Sequence, residues 1–310
     1  RSAMELPPAL RWGKLPAMRD KLRHVTVIGV GLLGGSAALA LKACDPSVRI
    51  AGVGRRRESL QMALDAGAID TAHLDPAPAV VQSDLVILAT PVGAFARHLR
   101  EIAPHLRRGA AVTDVGSTKS AVVRQAERLL GAGGPFVGSH PMAGSEQKGV
   151  SFARADLFAG ATCIVTPSTR TPPRLVRRIE RFWQLLGTRT VRMGPAEHDR
   201  AVAAISHLPH VLASLLMLLP DSHSLQVAAT GFRDATRLAG GDPEMWRDIL
   251  LTNRRAILGA LDRFDERLMH LRDLLEMGDA RELEKLLTLA KKRRADTLLK
   301  EPVDRRLAAE

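Results

Sequence analysis

The sequence predicts an α/β fold: a Rossmann-type, mostly parallel sheet domain followed by an all-helical second domain. Three observations predict it. Short β-branched runs alternate with helical patterns up to about residue 192, the signature of parallel strands joined by helical crossovers. The first of these runs leads directly into Gly29-Val30-Gly31-Leu32-Leu33-Gly34, and strand signals stop after Pro195.

Residues 1–22 are rich in proline and without periodicity, and read as a loose N-terminal arm. The run 25–28 is the first strand, followed by the glycine turn and a helix over 35–43. Further strands are expected at 49–53, 85–89, 111–114, 136–138, 162–166 and 188–192, with helices at 57–66, 93–104, 119–130 and 173–186. Beyond residue 194 the pattern is helical almost without interruption, at 197–219, 224–239, 243–277 and 279–298. We therefore divide the chain into the arm, a dinucleotide-binding domain over 23–194, and a helical substrate and dimerisation domain over 195–310. Ile257, Leu258, Leu261, Phe264, Leu268, Leu271 and Leu274 form an apolar stripe that one helix cannot hide. It packs either within the bundle or against a second copy, which makes a homodimer the expected assembly.

With 310 residues, 45% of them apolar, the chain can bury substantial cores. No apolar run reaches the roughly 18–20 residues that span a bilayer, and no secretory signal is present, so a cytoplasmic protein without membrane contact is expected. Cys44 and Cys163 lack motif spacing and read as buried thiols. The net charge of +12 raises the question of an anionic partner. The basic groups Arg55-Arg56-Arg57, Arg107-Arg108, Arg177-Arg178 and Lys291-Lys292-Arg293-Arg294 are dispersed, with no aromatics between them to stack on bases. They read as solvated faces, and the expected partner is a small acidic molecule rather than a nucleic acid.

The glycine turn supplies what a pyrophosphate needs. Gly29 permits the tight turn, Gly31 lets the backbone approach the phosphates, and Gly34 allows close helix–strand packing. Leu32 and Leu33 complete the cofactor-binding turn, and the exposed N–H groups and dipole at the helix start favour the anion. An acid that would bind the ribose hydroxyls of NAD is missing after the second strand, where Arg55, Arg56 and Arg57 stand instead. Guanidinium groups there suit the 2′-phosphate of NADP, so NADP is favoured with NAD possible; the alternative is three solvated arginines at a helix start. Thr90 and Pro91, after the next strand, lie where the nicotinamide ribose passes in such sheets.

Two loops carry candidate chemistry. The segment Thr113-Asp114-Val115-Gly116-Ser117-Thr118-Lys119-Ser120 ends a strand at the head of a helix, so its hydroxyls either face the ligand crevice or cap the helix. In Gly138-Ser139-His140-Pro141-Met142-Ala143-Gly144-Ser145-Glu146, a histidine sits between glycines and before a proline. A neutral His140 can accept a proton from a substrate hydroxyl as hydride leaves the same carbon. Further on, Ser206-His207-Leu208-Pro209-His210 puts two histidines three residues apart beside a helix start. No third ligand accompanies them, so no metal is expected. Arg237 is a bidentate donor suited to a carboxylate, or else a surface arginine.

Taken together, GSHPMAGSE, SHLPH, FRDATRLA and DPEMWRDIL make the chain resemble the prephenate and arogenate dehydrogenases of tyrosine biosynthesis. The resemblance runs from about Val25 through the C-terminal helices. It implies a modified Rossmann domain, a helical dimerisation domain that completes the site, and oxidative decarboxylation of prephenate, or alternatively of arogenate, with NAD(P). It further implies that His140 engages the ring hydroxyl with Ser117 beside it. Substrate contacts are implied for Ser206, His207, His210 and Arg237, and a gating or polar role for Glu146. With the sequence ending at Glu310, no appended regulatory domain or fused mutase is expected. A rival reading, a β-hydroxyacid dehydrogenase with the same two-part build, calls for a lysine in the second domain, and none occurs between Lys148 and Lys285.

Overall fold

The computed structural model describes residues 22–144 and 147–299. The expected N-terminal arm, apart from its last residue, lies outside them, as does Glu146. By compactness the chain divides after Ile257, and the second unit opens at Leu258.

The first unit is built on a five-stranded parallel sheet of order β3-β2-β1-β4-β5. Its strands are β1 (His24–Ile28), β2 (Arg49–Val53), β3 (Thr71–His73), β4 (Leu85–Leu88) and β5 (Ala111–Asp114). All four residues of β4 and all four of β5 are buried, as expected of strands covered on both faces. Alternate residues feed two cores: Leu85 and Ile87 join Val25, Val27 and Leu41 on one side, and Val86 and Leu88 join Phe95, Leu99 and Val122 on the other. Helices α1 (Leu32–Cys44), α2 (Arg57–Asp65), α3 (Pro76–Val80), α4 (Phe95–Ile102) and α5 (Ser120–Leu130) make the crossovers. The order reverses at β1, which opens a crevice at the carboxyl ends of β1 and β4.

A second sheet follows, of β6 (Gly138–Pro141), β7 (Thr162–Thr166) and β8 (Arg189–Arg192). β6 runs antiparallel to β7, and β8 runs parallel to β7 after the crossover helix α6 (Pro173–Leu185). This corrects the expected strand at 136–138: Phe136 makes only a single bridge to Val112, and the strand proper starts at Gly138. His140 is therefore a strand residue, opposite Ile164, rather than part of a loop after a strand.

From Pro195 onward all described elements are helical. In α7 (Pro195–Val202) and α8 (Leu208–Met217) the expected single helix is interrupted by a wide turn over Ala203–His207. Pro209 explains it: lacking an N–H, it cannot continue the α ladder, and Leu208 N–H reaches back five residues to Ala203 O. The run Pro195–Met217 is also, by length and apolarity, long enough to cross a membrane, which corrects the expectation that no such run exists. Its inward residues His198, Asp199, His207 and His210 are buried polar groups, most of them hydrogen-bonded to the rest of the unit.

Two other expected helices are broken. The span 224–239 becomes α9 (Ser222–Leu225), α10 (Thr230–Thr236) and a 3-10 turn over Arg237–Gly240. The span 243–277 becomes α11 (Pro243–Thr252) and α12 (Arg254–Met277), separated by Asn253. α12 carries the chain into the second unit, where Gly278, at φ 66°, turns it into α13 (Ala280–Leu299). Of the stripe seen in the sequence, Leu274 is buried, whereas Leu258 and Leu268 remain exposed alongside Leu275 and Leu287.

Candidate active site

The crevice at β1 is shaped by backbone approach. Gly29 has φ 100°, and a β-carbon there would stand 2.7 Å from the carbonyl of Ala89. At Gly31, by contrast, a β-carbon would meet nothing within 4 Å. The turn is thus crowded on its protein side at Gly29 and Gly34 and open at the position where a phosphate must come near the backbone. Gly31 is also the N-cap of α1 and supplies no side-chain acceptor, so the amides of Leu32 and Leu33 are left to a ligand. Thr90 lines the same turn, and its buried Oγ1 has no hydrogen-bond partner among the described residues. An orphaned hydroxyl beside an open glycine and free helix amides fits a dinucleotide. Pro91 is exposed at the mouth. Arg55 and Arg56 are exposed where β2 runs into α2, with no ion-pair partner among the described residues.

His140 lies near the carboxyl end of β6, beside a buried polar network that fixes β6 against β5. Ser139 donates its N–H to Asp114 at 3.0 Å, and its hydroxyl accepts from Trp183 Nε1 at 2.8 Å. Asp114 and Lys119 form a fully buried ion pair. Burial pushes the Asp114 carboxyl up, and the Lys119 ammonium together with the amides of Ser139 and Gly116 opposes this.

The imidazole of His140 meets a second histidine. His140 Nδ1 lies 2.9 Å from His198 Nε2, and His198 Nδ1 lies 2.9 Å from Asp199 Oδ1. Asp199 also accepts the backbone N–H groups of Lys119 and Ser120, each at 2.8 Å, and thereby caps α5 from another helix. The expected Ser or Thr cap is thus corrected: neither Ser117 nor Thr118 caps α5, whose first residues are held by Asp199. Thr118 instead meets Thr252 of α11 at 3.0 Å, and Ser117, half-buried, has no hydrogen-bond partner among the described residues. Burial holds the His140 pKa well below 6.5, aided by His198 and by the charge of Lys119. His198 is lowered too, chiefly by burial. Both rings are therefore neutral at neutral pH.

Asn253, at the break between α11 and α12, extends the network. Its Nδ2 donates to the Asp199 carbonyl at 2.9 Å and lies 3.1 Å from His207 Nδ1. Burial takes His207 down to about 4. Three residues on, His210 stacks flat on Trp246, with ring centroids 3.5 Å apart, and hydrogen-bonds the backbone of Leu238. His207 Nε2 and His210 Nδ1 are buried without partners among the described residues, which is costly unless a ligand supplies them. Trp246 touches both rings, His207 edge-on at 6.0 Å and His210 face to face, while Asn253 holds His207 and Leu238 holds His210. Ser206 is half-buried in the wide turn, and Arg237 is exposed beside Leu238, unpaired among the described residues.

The structure therefore brings His140, His207 and the head of α5 into one bonded network, sets His210 next to it through Trp246, and leaves Arg237 at the rim. His198, Asp199, Trp246 and Asn253 did not emerge from the sequence. For His198 a signal existed: it stands four residues before Val202 on the apolar side of α7, and both are fully buried.

The nucleotide-binding domain of prephenate dehydrogenases matches residues 37–192, and their dimerization domain matches residues 194–289. A prephenate dehydrogenase of Bacillus subtilis is 38% identical over 86% of this chain and 74% of its own length. A cyclohexadienyl dehydrogenase of Zymomonas mobilis is 34% identical over 83% of this chain and 90% of its own. The crystal structure of prephenate dehydrogenase from A. aeolicus with hydroxyphenyl propionate and NAD+ superposes with a TM-score of 0.85 at 32% identity, covering 90% of this chain and 100% of that one. Synechocystis arogenate dehydrogenase superposes with a TM-score of 0.77 at 30% identity, covering 88% of this chain and 99% of its own.

Proposed function

The chain belongs to the prephenate dehydrogenase family, and from that premise we propose that it oxidises and decarboxylates prephenate to 4-hydroxyphenylpyruvate with a nicotinamide cofactor. The observation that carries the reading is the half-buried, neutral His140 near the carboxyl end of β6, in the same compact unit as the open glycine turn.

Prephenate is a cyclohexadienol bearing a ring carboxylate. When bound, the nicotinamide supplies the hydride acceptor. His140 takes the hydroxyl proton as the carbinol carbon becomes a ketone. Loss of carbon dioxide then sends its electron pair into the ring, which becomes aromatic, and His140 returns the proton to the phenolate oxygen, so no net proton is consumed. Ser117 bonds the same oxygen. Ser206, His207 and His210 present polar groups to the substrate, and Arg237 clamps a carboxylate so that the ring stays aligned. Glu146, outside the described residues, keeps the polar or gating role that the family resemblance implies.

Gly29, Gly31, Leu32, Leu33 and Gly34 cradle the pyrophosphate, with Thr90 and Pro91 along the nicotinamide side. Unpaired Arg55 and Arg56 favour NADP over NAD, since two free guanidinium groups at the end of β2 match a 2′-phosphate. The boundary near residue 194 separates the cofactor domain from the helical one, and the exposed leucines of α12 and α13 support a homodimer. The setting is cytoplasmic.

A matrix of prephenate and arogenate against NAD and NADP, followed by absorbance of the reduced cofactor, tests this reading. The expected result is the highest kcat/KM with prephenate and NADP, lost at least about 100-fold in His140→Asn. Arogenate as the better substrate would reassign the side-chain specificity, and an unaffected His140→Asn would remove the base.

A further inference from the structure

We propose that His198 and Asp199 are positioning residues that fix the tautomer of His140, so that its Nε2 faces the substrate as the proton acceptor. This rests on His140 being the base.

The argument runs from the carboxylate outward. Asp199 accepts two backbone N–H groups at the start of α5, where the helix dipole also favours negative charge. Against burial, the hydrogen bond with His198 and these backbone bonds hold its carboxyl below the usual carboxylate range. As a carboxylate it can only accept, so the proton in the 2.9 Å bond to His198 belongs to His198 Nδ1. A neutral His198 with its proton on Nδ1 offers only a lone pair at Nε2. The proton in the next bond, also 2.9 Å, therefore belongs to His140 Nδ1. That leaves His140 Nε2 unprotonated, and it has no hydrogen-bond partner among the described residues.

The surrounding charges make this orientation matter. His140 on β6 faces His198 and Asp199 from α7, Lys119 and its partner Asp114 from the head of α5 and the end of β5, and His207 from the wide turn. Lys119 opposes a second positive charge at His140, and its own charge is matched by Asp114. When the substrate proton moves from its hydroxyl oxygen to His140 Nε2, the Nδ1–H bond to His198 remains. The new charge is then felt along an aligned path by Asp199, a nearby carboxylate with no ammonium partner among the described residues. The geometry is that of a base oriented by a second ring and an acid behind it, with no covalent step.

The test reads the tautomer itself, apart from turnover. In ¹⁵N spectra of the full-length protein, wild-type His140 is expected as the Nδ1–H form. In Asp199→Asn the amide can donate to His198 Nδ1, which reverses both rings and puts the His140 proton on Nε2. Its kcat should then fall about 100-fold or more with KM changed by less than about threefold. His198→Gln, whose carbonyl can still accept from His140 Nδ1, should retain at least about tenfold more activity than His198→Leu. Because Asp199 also caps α5, the wild-type spectrum and the His198 pair decide the matter if Asp199→Asn does not fold. A wild-type His140 found as Nε2–H, wild-type kcat in a folded Asp199→Asn, or equal activity of His198→Gln and His198→Leu would overturn the proposal. Retained activity in His140→Asn would instead remove the underlying base assignment, which separates the two failures.

Discussion

Gly34 lies so close to Gly29 that a β-carbon at residue 34 would stand 2.1 Å from the Gly29 carbonyl oxygen. The contact is with backbone, so nothing can rotate away. Gly34→Ala should therefore destabilise the fold by about 1–3 kcal/mol through overpacking, with cofactor binding lost alongside. Gly31→Ala makes the complementary case, because its β-carbon meets nothing within 4 Å. Its stability should stay within about 0.5 kcal/mol of wild type. The added methyl lies where the pyrophosphate approaches, and cofactor affinity should drop at least about tenfold. Thermal melts and calorimetric titration with NAD and NADP measure both; an unchanged affinity in Gly31→Ala would remove the glycine turn from the cofactor site.

The buried pair Asp114 and Lys119 gives a second prediction. Both side chains are fully buried, and the Asp114 carboxylate also anchors Ser139 and Gly116 through their amides. Lys119→Met leaves that charge uncompensated and should cost about 3–5 kcal/mol. In the double variant Lys119→Met with Asp114→Asn no buried charge remains, and part of the loss should be recovered. Urea unfolding of the four proteins gives the coupling; strict additivity would mean the pair contributes nothing as a pair.

Which features were readable from the sequence follows from where their causes lie. Helices α1, α5 and α6 and strands β1, β2 and β7 are locally determined, with apolar periodicity and a glycine or proline at an end, and they fall at or near their expected positions. β3 escaped because it is a polar three-residue edge strand, ordered only by its pairing with β2. The breaks at Ala203–His207 and Asn253 escaped because helical periodicity continues on either side; Asn253 turns inward for a tertiary reason, its bonds to Asp199 and His207. Within the site, His140, His207 and His210 stood out through flanking glycines and prolines. His198 and Asp199 sit in an ordinary-looking helical stretch, and their significance comes from docking against β6 and α5, which no local pattern encodes.

Five buried or half-buried histidines make stability depend on pH with a definite sign. His98, His140, His198, His207 and His210 all have pKa values lowered in the folded state, with burial the leading cause. The unfolded chain binds protons below 6.5 while the folded protein resists them. Stability is thus fully present above 6.5 and is lost as pH falls, down to about 4 for His207, at up to about 1.4 kcal/mol per pH unit for each histidine. Asp199, whose folded pKa is depressed, adds a further loss at lower pH. Urea midpoints should therefore fall steadily from pH 6.5 toward 4, and His207→Asn should flatten that slope. A midpoint constant across this range would mean that these rings are protonated in the folded protein.

Trp246 holds His210 by a flat stack, its plane within 5° of the imidazole, and Gly241 is part of the same clamp. A β-carbon at residue 241 would come within 2.3 Å of Trp246 Nε1 and 3.0 Å of His210. His210 Nδ1 is thereby held in one direction, buried and without a partner, while the hydrogen bond to Leu238 fixes the far side of the ring. An atom that only receives the substrate should act through binding rather than through the chemical step. Trp246→Leu, which frees the ring, should raise the KM for prephenate about tenfold with kcat changed by less than about threefold. Gly241→Ala, which displaces the indole, should move KM in the same direction. A fall in kcat at constant KM in either variant would place His210 in the proton-transfer step instead, and would require a second route for the substrate hydroxyl proton besides His140.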